Sequence, residues 1–193
     1  MSAPRNAHAD SRQPQVLDEA ARLFRTRGFE GTSVRDIARA VGMLPGSLYC
    51  HFQTKEALLV AVYVKGVRQI SDAVRAVVDR HQDPWDRLEA ACIAHLEAIL
   101  RDDDYAQVVV RVRPADVPAA DRNLAELRNQ YEALFTGLIN ELPLARNTDR
   151  RILRLMLIGA LNSSQTWYRP GGRLNPRAIA RKFVALLREE VTA

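Results

Sequence analysis

The hydrophobic residues of this 193-residue chain recur with the period of an α-helix along nearly its whole length. Apolar side chains stand three and four positions apart in nine successive segments, and no run alternates apolar and polar residues as a strand would. Prolines, glycines and capping residues separate these segments. The pattern predicts an all-α fold of nine helices, in a chain long enough to bury a core of its own.

Three short predicted helices precede a long fourth helix, and this order divides the chain. Residues 1–12 are polar and lack periodicity, which predicts a disordered tail. Residues 13–57 hold the three short helices as a first domain, and residues 58–193 form a larger helical domain. Gly28 and Gly42 end the first two helices, because glycine accepts a left-handed backbone without steric cost.

Composition excludes several classes of protein. The longest apolar runs, such as residues 155–161, are far shorter than the roughly 18 residues of a membrane span, and the amino terminus lacks the apolar stretch of a signal peptide. We therefore expect a cytoplasmic protein without membrane contact. Cys50 and Cys92 cannot build a disulfide framework and lack zinc-site spacing, so both thiols are expected to be free. A net charge of +5 admits an anionic partner such as nucleic acid.

Two short predicted helices meet at a turn around Gly42, within residues 33–52. A helix-turn-helix of this kind can place its second helix in the major groove of DNA. Small side chains at the start of that helix allow close approach to base edges and phosphates. The predicted DNA-binding residues are Thr32, Ser33, Arg35, Leu44, Pro45, Gly46, Ser47, Tyr49, Cys50, His51 and Lys55. The alternative is a small helical bundle with a solvated polar face.

The same segment resembles the DNA-binding region of the tetracycline-repressor (TetR) family. The matching positions are 28–29, 31–34, 36–38, 41–42, 46–52 and 55–58, and the nine-helix count extends the resemblance over nearly the whole chain. The resemblance implies a homodimeric transcription repressor that binds near-palindromic operator DNA and is released by a small-molecule inducer. Leu44 departs from the family pattern where a small polar helix cap is common, and Cys50 where a larger polar residue often sits. These two departures leave the base preference open.

The eighth and ninth predicted helices supply candidate dimer contacts. Residues 152–161 are apolar almost all round the helix, a pattern that requires burial on two sides. One side would face the core and the other a second subunit, in a four-helix bundle between subunits. The predicted dimer residues are Leu157, Leu161, Ile179, Phe183 and Leu187. The well-buried core of a monomer is the alternative explanation.

Residues 159–162 and 167–172 resemble a TetR branch that includes regulators of fatty-acid and steroid catabolism, which sense acyl-CoA thioesters. An apolar interior would hold the acyl part, and arginines beside Trp167 would hold the phosphate-bearing carrier. The predicted ligand-binding residues are Leu96, Ile99, Val109, Leu134, Phe135, Met156, Asn162, Thr166, Trp167, Arg169 and Arg173. An ordinary helix end with a Pro-Gly-Gly turn explains the same residues equally well.

Catalysis has one weak candidate in the sequence. Cys92 and His95 share a predicted helix with Glu89 one turn earlier, but a single cysteine and histidine on an apolar helix usually serve packing. The sequence therefore predicts no enzymatic activity, no cofactor and no metal site. A small-molecule binding protein without operator-specific DNA binding is the alternative function, and a gel shift with the protein's own promoter DNA would separate the two.

Overall fold

The computed structural model describes residues 12–192, with side chains described for residues 12–189. Within this range the chain forms nine α-helices and one 3₁₀ turn (Pro114–Asp116), with no strand, which confirms the predicted all-α fold. The helices are α1 (Gln13–Arg27), α2 (Val34–Ala40), α3 (Pro45–Tyr49), α4 (Lys55–Val78), α5 (Pro84–Ile99), α6 (Asp104–Arg111), α7 (Asp121–Glu141), α8 (Arg150–Trp167) and α9 (Pro176–Thr192). The predicted tail lies outside the described residues, apart from Arg12. None of these nine helices combines the length and the apolar character of a membrane span.

Side-chain caps determine where most of these helices begin. Each capping oxygen accepts a hydrogen bond from a backbone N–H of the first turn, which has no partner inside the helix. At α2 the cap is reciprocal, because the Asp36 carboxylate also accepts from the Ser33 backbone N–H. The capping residues are Ser33, Thr54, Asp83, Asp103, Asp149 and Asn175.

The hydrophobic core has two parts, and α4 contributes to both. The first part joins α1, α2 and α3 to the first half of α4, and it extends to side chains of α6 such as Tyr105 and Val108. The second part lies between the rest of α4 and helices α5, α7, α8 and α9, where Phe135 and Leu161 are fully buried. The amino-terminal helices are therefore packed against α4 and α6 of the larger domain.

A polar cluster ties α1 to α6. The Tyr105 hydroxyl donates to the Asp18 carboxylate over 2.6 Å, and the Lys65 ammonium donates to the same carboxylate over 3.0 Å and to the Tyr105 oxygen over 2.9 Å. Partial burial alone would raise the pKa of Asp18, but these hydrogen bonds outweigh it and the pKa is lowered. Arg25 adds ion pairs to Asp102 and to Asp104, the latter over 2.8 Å.

Helices α4 and α6 cross at Gly66 with almost no space between them. A Cβ atom placed on Gly66 would lie 2.6 Å from Val109 Cγ2 and 2.8 Å from the Tyr105 backbone oxygen. Only a residue without a side chain fits this contact. The position of α6 is therefore set by α4 on one side and by α1 on the other.

Candidate functional site

Helices α2 and α3 form a rigid helix-turn-helix. The turn between them passes through Gly42 at φ +63°, and the Met43 N–H donates to the Ala38 oxygen over 2.8 Å. Leu48 and Phe52 are buried in the first core part and hold α3 against α1 and α2. Because its apolar anchors are buried, the opposite face of α3 is fixed toward solvent.

The exposed face of α3 is small and open at its amino-terminal end. A Cβ atom on Gly46 would meet no atom within 4 Å, so a flat partner can approach the backbone there. Leu44 is 75% exposed and provides no side-chain cap, so no side chain of α3's first turn covers the Gly46 N–H. The predicted DNA-binding residues that are exposed are Ser33, Arg35, Leu44, Gly46, Ser47, Tyr49 and Cys50, and those that are half-buried are Pro45, His51 and Lys55.

The prediction that Thr32 contacts DNA is wrong. Its side chain is 1% exposed, and its hydroxyl donates to the Gly28 backbone oxygen over 2.8 Å and to the Leu23 oxygen over 3.2 Å. Thr32 instead joins the end of α1 to the start of α2. Lys55 is also anchored, because its ammonium donates to the Phe29 oxygen over 2.9 Å and stands 4.0 Å from the Phe29 ring centre. A lysine has three N–H groups, so Lys55 keeps donors for a phosphate.

Both cysteines are free, as predicted, but they differ in environment. Cys50 is exposed on α3, while Cys92 is buried on α5, where burial and the nearby Glu89 raise the pKa of its thiol. Among the described residues, no group of three or more His, Cys, Asp or Glu side chains is placed to hold a metal ion.

A small cavity lies inside the larger domain, between α4, α5, α6, α7 and α8. Its volume is about 30 Å³, which matches the share of liquid volume taken by one water molecule. The predicted ligand residues Ile99, Val109 and Asn162 line it. The other lining residues are Tyr63, Val67, Ile70, His95, Val110, Arg128, Tyr131, Glu132 and Ile158.

A hydrogen-bonded triad of side chains forms one wall of this cavity. His95 Nδ1 lies 2.5 Å from the Tyr131 hydroxyl oxygen, and His95 Nε2 lies 3.1 Å from Asn162 Oδ1. Burial lowers the pKa of His95 to about 4, so the ring is neutral near pH 7 and carries one N–H. The Asn162 oxygen can only accept, so Nε2–H donates to it and the Tyr131 hydroxyl donates to Nδ1.

None of the other eight predicted ligand residues lines this cavity. Leu96 and Phe135 are buried in the core, where Phe135 packs edge-on against the His95 ring. Leu134 lines a separate surface groove between α4 and α7. Met156 is 57% exposed and points out of the domain. Thr166, Trp167, Arg169 and Arg173 are exposed around the end of α8 and the turn after it, so any contact with a carrier group would be at the surface.

Four of the five predicted dimer residues are buried within this chain itself, so they are not available to a second subunit, and the half-buried Phe183 stays a prediction. Leu157 is 3% exposed, Leu161, Ile179 and Leu187 are buried too, and Phe183 packs half-buried against the same core. The apolar side chains that α8 and α9 leave exposed are different ones. They are Ile152, Leu155, Met156, Trp167 and Leu186, which we call the outer apolar face.

Sequence reasoning missed the polar residues that give the cavity its chemistry. It set His95 aside as a packing residue and did not single out Tyr63, Arg128, Tyr131 or Glu132. A usable signal was present, because Tyr63 and Tyr131 put hydroxyl groups on the buried sides of helices that are otherwise apolar there. Such a group needs a partner inside the protein.

Two family descriptions match the chain. Residues 16–62 match "Bacterial regulatory proteins, tetR family", and residues 81–191 match "Tetracyclin repressor-like, C-terminal domain". The chain is 30% identical over 191 residues to the HTH-type transcriptional repressor KstR2 of Mycobacterium tuberculosis, covering 95% of this chain and 94% of that protein.

Solved structures give the same family. The crystal structure of AibR in complex with isovaleryl coenzyme A and operator DNA is 25% identical, with a TM-score of 0.78, and the match covers 91% of this chain and 97% of that chain. The structure of the ketosteroid transcriptional regulator KstR2 of Mycobacterium tuberculosis is 26% identical, with a TM-score of 0.72 over 94% of this chain and 95% of that one. The chain therefore belongs to the TetR family of bacterial regulatory proteins, as its sequence resemblance predicts, and is a helix-turn-helix transcriptional regulator rather than an enzyme.

Proposed function

We propose that this protein is a homodimeric transcriptional repressor that binds a near-palindromic operator in the cytoplasm and releases it when an acyl-CoA thioester binds. The observation that carries the proposal is the chain of contacts from the exposed face of α3, through α1 and α6, to the wall of the cavity. Each step of that chain is a packed or hydrogen-bonded contact.

DNA binding requires two copies of α3 at the right distance. In a symmetric dimer the two α3 helices would enter successive major grooves, about 34 to 36 Å apart or a multiple of that spacing. The outer apolar face on α8 and α9 is the surface that would join the two copies, because large apolar side chains such as Ile152 and Leu155 are exposed there. The distance between the two α3 helices then depends on the position of the amino-terminal helices relative to the larger domain in each copy.

Ligand entry would change that arrangement, because the cavity is too small for an acyl group. A volume of about 30 Å³ has to be enlarged by moving its walls, and Val109 of α6 is one of those walls. Helix α6 is tied to α1 by Tyr105, Asp18 and Lys65, so a displacement of α6 would shift α1 and the helices packed on it. A coupling of about 1 to 3 kcal/mol between ligand and DNA is typical for such a device.

An acyl-CoA thioester suits the two surfaces that a ligand would meet. Its acyl part would enter the cavity past Ile70, Ile99 and Val109, while its phosphates would stay at the surface with Arg169 and Arg173. The related regulator AibR binds isovaleryl coenzyme A together with operator DNA, which supports the same effector class here.

The DNA-binding part is tested with a charge placed on the open face of α3. An operator would be selected from randomised duplexes and its affinity measured by fluorescence anisotropy. Gly46→Glu should weaken operator binding about 100-fold or more, because a carboxylate would face the phosphates. Gly137→Glu is the matched control on α7, where a Cβ also meets nothing within 4 Å, and it should bind as the wild type does.

One result would favour the alternative function. If the wild type bound selected and scrambled duplexes equally, or if Gly46→Glu bound DNA normally, the protein would be a small-molecule binding protein without operator-specific DNA binding. Thermal unfolding of both variants shows that they are folded.

A further inference from the structure

The Tyr63 hydroxyl is the one buried side-chain polar atom, within the described part of the chain, that lacks a hydrogen-bond partner. Tyr63 lies on α4, its side chain is fully buried, and it lines the internal cavity. Burial raises the pKa of Tyr63, so the hydroxyl keeps its proton and is a hydrogen-bond donor. A buried hydroxyl without a partner costs free energy, so a ligand that supplies an acceptor there would be favoured.

Arg128 on α7 lines the same cavity, and the charge of its guanidinium offsets part of the rise that burial causes in the pKa of Tyr63. The neighbouring carboxylate does not neutralise it, because Glu132 pairs with Arg154 instead. Arg128 forms no ion pair with any carboxylate in the range that the structure describes. A guanidinium and a hydroxyl thus stand together at the cavity wall, and both can donate.

The opposite wall of the cavity has few free hydrogen-bond acceptors. The ring nitrogens of His95 are both used, one by the Tyr131 hydroxyl and one by Asn162 Oδ1. The amide nitrogen of Asn162 adds two further N–H donors. The polar groups of this cavity are therefore dominated by donors, so the group that fits among them is an acceptor.

We propose that the effector carries an oxygen acceptor on its acyl part, beyond the thioester, and that Tyr63 and Arg128 receive it. The acceptor is a carbonyl or a carboxylate oxygen, since each has lone pairs for both donors. A plain hydrocarbon tail would leave the buried Tyr63 hydroxyl without a partner and would exclude water from the half-buried Arg128 guanidinium. This inference rests on the proposed function, because it takes the effector to be an acyl-CoA thioester.

Three thioesters of equal chain length test the inference by calorimetry. Hexanoyl-CoA has no further oxygen, 5-oxohexanoyl-CoA has a ketone and adipoyl-CoA has a terminal carboxylate. We expect one or both of the oxygen-bearing thioesters to bind the wild type about tenfold or more tighter than hexanoyl-CoA, as sites built around donors reject ligands without an acceptor.

Variants locate the preference at the two donors. Tyr63→Phe removes the hydroxyl and keeps the ring, so it should remain as stable as the wild type and bring the preference to within about threefold. Arg128→Met should weaken adipoyl-CoA more than 5-oxohexanoyl-CoA, because the carboxylate loses a charged partner. Arg122→Met removes an exposed guanidinium from α7, away from the cavity, and is the matched control, which should keep the full preference.

The outcomes separate this inference from the proposed function. Equal binding of all three thioesters, or a preference that Tyr63→Phe and Arg128→Met both leave intact, would overturn the acceptor inference and leave the acyl-CoA effector standing. If none of the three bound, the effector class itself would be wrong, and the inference would fall with it.

Discussion

The helix-turn-helix and helix α8 differ in how far their residue patterns determine their orientation. In residues 33–52 nearly all the predicted contact residues lie at the surface, with Thr32 just before them as the exception. On α8 the predicted dimer residues are buried, and the exposed apolar side chains are different ones. The difference shows that one apolar stripe is enough to determine which side of a helix faces the core. In a helix that is apolar on several sides, the residue pattern alone does not determine this.

The physical reason is the rotation of about 100° between successive helical residues. Leu48 and Phe52 are the two buried anchors of α3, so the residues on the opposite side of the helix must face solvent. On α8, Met156 and Leu157 are neighbours with similar hydrophobicity, yet the first is exposed and the second is 3% exposed. Only the packing of α8 against α5 and α7 selects which of them enters the core.

The largest expected effects come from charging these two faces of α8. Leu157→Glu should abolish folding, because it buries an unpaired carboxylate in the core at a cost of several kcal/mol. Leu155→Glu should leave the subunit folded but separate the dimer, which would weaken operator binding about 100-fold. Sedimentation and thermal unfolding distinguish the two outcomes.

Either of two results would contradict this assignment of faces. The first is that Leu155→Glu remains a dimer with normal operator affinity. The second is that Leu157→Glu folds as a stable monomer. Val64→Glu is a matched control, because it charges an exposed apolar side chain on α4 outside the outer apolar face, and it should change neither property strongly.

The next effect is a pH dependence confined to the larger domain. The pKa of His95 is lowered to about 4 from its ordinary 6.5, so the unfolded chain binds a proton between these values and the folded chain does not. Stability from this residue is complete above pH 6.5 and is lost as pH falls toward 4, by an amount on the order of 3 kcal/mol.

Chemical unfolding measured at several pH values in this window checks the sign and size of the effect. His95→Gln should unfold with less dependence on pH, whereas the surface variant His81→Gln serves as the control and should retain the wild-type dependence. A wild type that became more stable on acidification from pH 6.5 to 4, relative to His95→Gln, would contradict the buried neutral histidine.

A smaller effect is expected where α4 and α6 cross. Gly66→Ala would place a Cβ against Val109 and the Tyr105 backbone, so α6 must move, at a cost of about 1 to 3 kcal/mol in the free energy of unfolding. It should also weaken operator binding, because α6 is tied to α1. Gly137→Ala is the control, since its Cβ meets nothing and alanine favours a helix by about 0.5 to 1 kcal/mol. Equal stability of both variants would mean that the crossing at Gly66 is not tight.

The smallest expected effects come from two variants, one that changes DNA affinity and one that changes DNA sequence preference. Lys55→Met keeps an unbranched side chain but removes the ammonium, so it should weaken all sequences alike and lower the salt slope by about one unit. Ser47→Ala should alter base preference and leave the salt slope unchanged. Salt titrations with operator and scrambled duplexes check both, and a change of preference in Lys55→Met would contradict this orientation of the helix-turn-helix.

Local signals in the sequence were sufficient for the helices and for most of the exposed face of α3. Caps such as Ser33 and Thr54 act within one turn, so their effect can be predicted from neighbouring residues. The cavity could not be predicted in the same way, because Tyr63, Arg128 and Asn162 come from three helices. Which of their polar ends meet depends on how α4, α7 and α8 are rotated when they pack.

Release of operator DNA on addition of a ligand tests whether the cavity controls the DNA-binding helices. Fluorescence anisotropy would follow the wild-type dimer on its selected operator while isovaleryl-CoA, 5-oxohexanoyl-CoA, the two free acids and free CoA are added in turn. We expect at least one thioester to lower operator affinity about five- to 150-fold, as a coupling of about 1 to 3 kcal/mol requires, whereas free CoA and the free acids should not lower it. Operator affinity that is unchanged by both thioesters, or lowered equally by free CoA, would contradict control of the DNA-binding helices by the cavity.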